Sequence, residues 1–416
     1  MAIEHEYTEN YGLTEDQKAI RKQARKFMQK EITPLLPQID LEDKLPNNDP
    51  MAWMKKFADA GFLGVCVPPE YGGPGLDYKT LIIIHEELAR GGGNLTHSTT
   101  CMHNLTVSDT INLFATDEQK SRWLPDMVKG LRTGTGAFSE PEAGTDILSL
   151  RSTATKKGDG YLITGTKNYV SGVNTGNTWM TWARTEPGST GVHGLSCFVL
   201  EVAPPGVATH DRPDKNETLQ MSKHNKMGSR GEECVIAYFD NYYVPAENML
   251  GAENEGGNIM MTALGKQRAL AATSCLGHIW AALDTALPYS KERKQFGQFI
   301  SEFELIQQYL SDMYTMAIAS RHLIYHAADM AWEAYHVRKG KDISLIHELN
   351  KVGSAAKYLA CAGSRKALLD SYQICGGGAY DLEHPANRQL REGLAGSHAG
   401  GSHEAMAVNL AQELLR

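Results

Sequence analysis

No apolar run in this 416-residue sequence is long enough to span a bilayer. Its first stretch, Met1 to Tyr11, is polar and acidic, without the apolar core of a signal peptide. Seven cysteines stand singly at 66, 101, 197, 234, 275, 361 and 375, with no Cys-x-x-Cys pair. An odd number without a framework predicts reduced thiols, and with the polar start it predicts a soluble, cytoplasmic protein. Basic excess is missing too: the net charge is −8, and no Lys/Arg cluster suggests a nucleic-acid groove. The one basic run, 21–30, falls on an amphipathic helix and is expected to be a solvated face. Walker A, His-Glu-x-x-His and Gly-x-Ser-x-Gly motifs are absent. Gly376-Gly-Gly lacks the strand–turn–helix setting of a nicotinamide dinucleotide fingerprint. His384, His398 and His403 lie close in sequence but have no metal-ligand spacing, so no metal is expected.

What is present falls into three parts. Thr14 and Gln17 have capping-box spacing ahead of a helix with Ile20, Ala24, Phe27 and Met28 on one stripe. Segments 53–62 and 79–90 repeat that pattern around a turn-rich loop at 68–77. From about Leu131 the grammar changes to short β-rich runs, among them Tyr161-Leu-Ile-Thr, Trp179-Met-Thr-Trp, Ser196-Cys-Phe-Val-Leu and Cys234-Val-Ile-Ala-Tyr-Phe. Beyond Gly251, long helical patterns occupy 258–290, 302–338, 342–372 and 402–416. The predicted class is α+β: an all-α domain over 1–132, an antiparallel β domain over 133–250, and a four-helix bundle over 251–416.

The motifs that carry chemistry come in a fixed order. Ala137-Phe-Ser-Glu-Pro-Glu-Ala-Gly-Thr-Asp146 opens the β-rich part, and Gly165-Thr-Lys-Asn-Tyr-Val-Ser171 follows. Lys226-Met-Gly228, Val244-Pro-Ala-Glu-Asn248, Glu292-Arg-Lys-Gln-Phe-Gly297, Gln373-Ile-Cys-Gly-Gly377 and Leu390-Arg-Glu392 complete the set. Across nearly the whole chain the sequence resembles the acyl-CoA dehydrogenases, and seven motifs in family order make that resemblance specific.

The resemblance implies FAD and an acyl-CoA thioester. Phe138, Ser139 and Ser171 would lie at the isoalloxazine, where hydroxyls can donate to O4 or N5 of a reduced ring. Tyr169 stands where the family usually has Trp, a flat face on the flavin. Thr145 would lie near the pantetheine or the FAD pyrophosphate, and Ser402 and Glu404 in a turn touching FAD. Arg293 and Phe296, with Gln373 and Gly377, match positions that reach the FAD of a neighbouring subunit. That implies an oligomer, in the family usually a tetramer built as a dimer of dimers. Glu304 replaces the usual Gln of a Phe-Gln pair. An electron-transferring flavoprotein is the family's default electron acceptor.

One part of the machinery is missing. The family's α-proton acceptor is a Glu at one of two positions, which here fall on Gly400 and on Gln267, the latter followed by Arg268. Neither can take a proton. The backbone N–H of Gly400 can still polarise the thioester oxygen. Gly400 and Gly401, with Arg268, are expected to form an open acyl site for a bulky, cyclic or substituted group. The reading placed first is an FAD-dependent oxidoreductase with a non-standard base, His97 in Asn94-Leu-Thr-His-Ser-Thr-Thr100 being the candidate. The second is an eliminase resembling 3-sulfinopropionyl-CoA desulfinase, with Arg90 as the nearest arginine for its anion. The third is an inert subunit that binds FAD and CoA ester in a hetero-oligomer. A flavin monooxygenase of the same superfold ranks last.

Overall fold

The computed structural model describes residues 6–202 and 218–416. Helix Glu15–Phe27 opens with the expected capping box, Thr14 Oγ accepting from Gln17 N and the Gln17 amide accepting from Thr14 N. Its basic run is only partly solvated. Lys22, Lys26 and Lys30 are exposed, but Arg21 and Arg25 are buried against Glu9 and Glu87. Two arginines held by two carboxylates satisfy the rule that charges leave water only when paired. The solvated-face reading is corrected for these two residues.

The helix Tyr78–Cys101 and its continuation Met102–Ser108 are not one rod. At Gly93 the backbone takes φ 65° and ψ −157°, and the chain turns back. Thr96 Oγ1 therefore donates to Leu88 O at 2.7 Å, and the His85 and His97 rings lie 5.3 Å apart. Twelve residues of straight helix would separate those rings by about 18 Å. The first orphan N–H of the returning arm, on Asn94, is capped by Glu392 Oε2 at 2.9 Å. A Cβ at position 93 would collide with that carboxylate, so glycine is required there.

The middle of the chain forms one sheet. Its strands are β1 (Gly134–Ala137), β2 (Thr153–Lys157), β3 (Gly160–Ser171), β4 (Thr178–Arg184), β5 (Leu195–Glu201), β6 (Leu219–Lys223), β7 (Cys234–Pro245) and β8 (Met249–Leu250). The order is β6-β7-β3-β2-β4-β5-β8, with β1 paired to β4. Pairing is mostly antiparallel; β1 with β4, and a single pair of β2 with β4, are parallel. Alternation along β4 buries both faces. Trp179 packs with Phe198 on one side, while Met180 and Trp182 join Trp123 and Met127 of the N-terminal helices on the other.

The C-terminal part is helical: Gly256–Glu292, Glu304–Trp332, Ile343–Cys375 and His403–Leu415, close to the expected segments, plus a short helix Pro385–Gly393 that the sequence pattern did not reveal. This part is fastened to the N-terminal helices by a buried cluster. Asp109 accepts from Lys266 Nζ at 2.6 Å, from Tyr78 Oη at 2.5 Å and pairs with His336 Nε2 at 2.9 Å. Burial alone would raise the Asp109 carboxyl, but Lys266 and His336 hold it well below its ordinary value. Lys266→Met should therefore cost about 3–5 kcal/mol, because it strands a buried carboxylate. Lys266→Met combined with Asp109→Asn should cost less than Lys266→Met alone in urea unfolding. An equal or larger loss in the double variant would show that the pair is not the anchor.

Candidate functional site

The two signature motifs meet at the edge of the sheet. Asn168 N donates to Ser139 O at 2.7 Å, and the Thr135 hydroxyl donates to Ser171 O. Beneath them the fully buried Lys167 donates to Glu140 Oε1 and to Trp182 O, both at 2.8 Å. Burial would raise the Glu140 carboxyl, yet Lys167 and the backbone N–H of Arg151 hold it below its usual range. This ion pair, one partner from each motif, locks Ser139 and Ser171 side by side. The Ser139 hydroxyl has no hydrogen-bond partner among the described residues and is free to donate outward. Tyr169 lies at a break in the β3–β7 register with φ 55°, and the twist turns its ring outward. That ring is 67% exposed and stacked on His224 at 4.8 Å and 14°. Phe138 differs from expectation: it stacks on Trp182 at 4.5 Å and so packs behind the site. Thr145 is exposed in the turn that follows the Glu140–Ala143 bridge.

A second set of expected residues lies elsewhere. Arg293 ends the helix Gly256–Glu292, and Phe296 tips the hairpin that follows, with φ 51° and 94% exposure. Gln373 and Gly377 are exposed at the end of Ile343–Cys375. Tyr289 and Tyr372 pack together against Cys375, Ala379 and Ala386, so both segments share one end of the bundle. From Gln267 to Arg293 the helix runs 26 residues, about 39 Å. Ser402 caps His403–Leu415 by accepting from Ala405 N at 3.1 Å, and Glu404 is exposed in its first turn.

The two family base positions lie close together. Gln267 is buried with its amide donating to Thr106 Oγ1, and Ala271, one turn on, faces Gly400. Gly400 has φ 68°, and a Cβ there would overlap the Ala271 methyl. Gly401 has φ 105°, and its Cβ would stand 2.7 Å from Met406 Cε. The glycine pair therefore exists for close packing and a left-handed turn, not for an open acyl site. Arg268 is corrected as well. It points into the bundle, donating to Asn350 Oδ1 at 2.9 Å, away from the face that carries Gln267.

His97 does not face the site either. On the returning arm, His97, Cys101 and Asn104 form the face packed on His85, with Asn104 Nδ2 3.4 Å from His85 Nε2. Burial, then the nearby His85, His278 and Lys357, push the His97 imidazole well below its ordinary value. His85, His97 and Cys101 bring ligand-type atoms within 4.8 Å of one another. The buried Lys357 ammonium, held by Gly396 O at 2.7 Å and Ala271 O at 3.3 Å, bears on both His97 and Cys101 and would repel a cation.

The arm's other face is the half-open one. Ser98 and Met102 are its partly exposed members, and Thr106 continues the stripe at the same four-residue spacing. Thr106 meets Gln267, while Ser98 Oγ donates to Glu232 Oε1 at 2.7 Å. Glu232 is the residue that the sequence reading missed, although it lies four positions beyond the Lys226-Met-Gly228 motif. Glu392 is a second buried carboxyl, raised by burial to about 7, but it is occupied in capping Asn94.

Four buried imidazoles surround this seam, and burial pushes all of them down, His85 to about 3, His103 and His278 to about 4, and His97 well below its ordinary value. Each stays neutral in the fold but takes a proton below about 6.5 when unfolded, so its contribution is full above that pH and drains away toward pH 4. Neither ring nitrogen of His278 has a well-formed hydrogen bond among the described residues. His278→Leu should flatten the fall in stability between pH 6.5 and 4, by up to about 1.4 kcal/mol per pH unit. Thermal melts of both proteins at pH 5 and 7 check it, and parallel slopes would refute it.

Comparison with known proteins agrees with this fold. The N-terminal, middle and C-terminal domain models of acyl-CoA dehydrogenase match residues 14–131, 135–241 and 254–415. An acyl-CoA dehydrogenase of Bacillus subtilis is 33% identical over 97% of this chain and 99% of its own. A 3-(aryl)acrylate reductase of Clostridium sporogenes is 31% identical over 97% and 99%. The structure of butyryl-CoA dehydrogenase from Megasphaera elsdenii superposes with a TM-score of 0.86 at 28% identity, covering 98% of this chain and all of that one (100%). With the three domains matched in order over a helix–sheet–helix frame, this chain belongs to the acyl-CoA dehydrogenase family.

Proposed function

We propose that the chain oxidises a substituted acyl group carried as a CoA thioester, using a proton acceptor outside the family's two usual positions. It is a flavin oxidoreductase, with FAD as its cofactor. The observation that carries the reading is the intact pair Ser139 and Ser171 at adjacent strand ends, while Gln267 and Gly400 offer no carboxylate. The exposed, bulge-mounted Tyr169 ring and the unpartnered Ser139 hydroxyl fit a planar, hydrogen-bond-accepting ring system. When bound, FAD supplies the two-electron acceptor.

The chain's own groups divide the remaining work. Ser139 and Ser171 would donate to the flavin edge, and Tyr169 would cover one face. The Gly400 N–H would hold the thioester oxygen and favour its enolate-like form. Ser98, Met102, Thr106 and Gln267 would line the acyl group. That lining is partly polar, with Ser98 held by Glu232 and the Gln267 amide by Thr106, which suits a substituted group better than a plain alkyl chain. Arg293, Phe296, Gln373 and Gly377 lie too far from Gln267 for one dinucleotide to touch both sets within one chain. They are assigned to the FAD of a neighbouring subunit in a homotetramer, and an electron-transferring flavoprotein is the proposed acceptor. The eliminase reading loses its anion holder, since Arg90 is bound to Asp284 at 2.6 and 2.7 Å and to Glu9 at 2.9 Å. No helix among the described residues is long and apolar enough to cross a membrane.

Purified protein should carry about one FAD per subunit, and Arg293→Ala should weaken FAD retention and tetramer together. Absorbance at the flavin band with sedimentation reads both; unchanged retention would overturn the cross-subunit assignment. Butyryl-CoA should bind but bleach the flavin slowly under anaerobic conditions. Gln267→Glu, which places a carboxylate on the same helix face, should speed that bleaching roughly 10²-fold. Fast butyryl-CoA turnover by the native chain would refute the missing-base reading.

A further inference from the structure

The pair of serines at the sheet edge and the seam between the returning arm and the helix Gly256–Glu292 are bridged by one buried carboxylate, Glu232. Its Oε1 accepts from Ser98 Oγ at 2.7 Å, and its Oε2 lies 3.2 Å from Lys226 Nζ. The same Oε1 stands 3.6 Å from where a Cβ on Gly172 would be, directly after Ser171. Glu232 thus lies beside the residue that follows Ser171 and, through Ser98, touches the stripe that ends at Thr106 and Gln267.

The loop that carries it is held from both sides. Gly172 N donates to Glu233 O at 2.8 Å, and Glu233 N donates to Asn174 Oδ1 at 3.0 Å. Asn174 Nδ2 donates to Gly231 O, and Gly231 N donates to Asp43 Oδ1, both at 2.9 Å. Asn94 Nδ2 donates to Ser229 Oγ at 2.7 Å, tying the loop to the first turn of the returning arm. A carboxylate fixed in this way needs no rearrangement before it acts, which is the preorganisation that proton transfer requires. Lys226 also donates to Ser229 O at 2.8 Å, so the ammonium is held beside the carboxylate.

Resting on the FAD-dependent reading above, we propose that Glu232 is the proton acceptor that positions 267 and 400 lack. The C–H bond beside the thioester carbonyl breaks and its proton passes to a Glu232 oxygen. The electron pair left behind becomes the new C=C bond as a hydride leaves the next carbon for FAD. The acyl group is oxidised by two electrons and FAD is reduced by two. Ser98 and Lys226 orient the carboxylate as positioning residues, one on each oxygen.

Two readouts test this. One is anaerobic flavin bleaching; the other is deuterium uptake from D2O into the acyl carbons of bound CoA ester, which needs no net oxidation. The probes are butyryl-CoA, cyclohexanecarboxyl-CoA and 3-phenylpropanoyl-CoA. With the best of them, Glu232→Gln should lower bleaching and deuterium uptake together by roughly 10²–10⁴-fold, with FAD content and CoA-ester affinity unchanged. Glu232→Asp should restore part of the exchange. Ser98→Ala should slow exchange by a smaller factor, which covers the case that Glu232→Gln fails to fold. A yellow Glu232→Gln that exchanges and bleaches within about threefold of wild type would overturn the proposal alone. Absence of exchange by the yellow wild-type chain with every probe would also overturn it. A wild-type chain that remains colourless with FAD supplied would overturn the flavin reading itself.

Discussion

Lys266 and Asp109 meet where neither charge touches water, and that contact sets the register of the long helix Gly256–Glu292 against the returning arm. A buried ion pair tolerates little sliding, because a shift of one residue would leave two unpaired charges in the interior. With the register fixed there, the next residue, Gln267, must meet Thr106, and Ser274 reaches Asn94 Oδ1 at 3.2 Å. The stripe Ser98–Met102–Thr106 is thereby turned toward the sheet, with Ser98 and Met102 half-buried and Thr106 buried against β1. The site is a consequence of this seam more than of any single catalytic residue.

The seam exists only because the chain turns back at Gly93. The reversal places His97 and Cys101 against His85 and rotates Ser98 and Met102 to the open side. It also requires Glu392 to cap the arm, which gives that carboxyl a structural duty despite its raised proton affinity. Burial of four neutral imidazoles around the seam is part of the same arrangement. They fill space beside a buried lysine without adding a second positive charge.

Local glycine chemistry and catalysis are easily confused in such a chain. Gly400 falls where the family resemblance implies a carboxylate, and with Gly401 beside it an open cavity was the natural expectation. The backbone gives a different account: both residues have left-handed φ, and Ala271 and Met406 occupy the volume a side chain would take. The same holds for Arg268, whose neighbour faces the site while it faces Asn350. Adjacent helical residues are turned by about 100°, so a motif pair such as Gln267-Arg268 cannot serve one cavity with both side chains.

Sequence by itself determined the family, the order of helical and β-rich parts, the capping box at Thr14, and the two serine motifs, though not the Glu140–Lys167 ion pair that joins them. These rest on local spacing, periodicity and turn chemistry, which a linear reading can follow. It also located Arg293, Phe296, Gln373 and Gly377, though not that they lie at the far end of the bundle from Gln267. Only the tertiary structure decided which face of the arm is open, that His97 looks inward, that Arg21 and Arg25 are buried, and that Glu232 meets Ser98 134 positions away. Those facts depend on a chain reversal at one glycine and on contacts between distant segments. The physical reason is that side-chain direction follows from the packing partner, and sequence spacing alone does not name that partner.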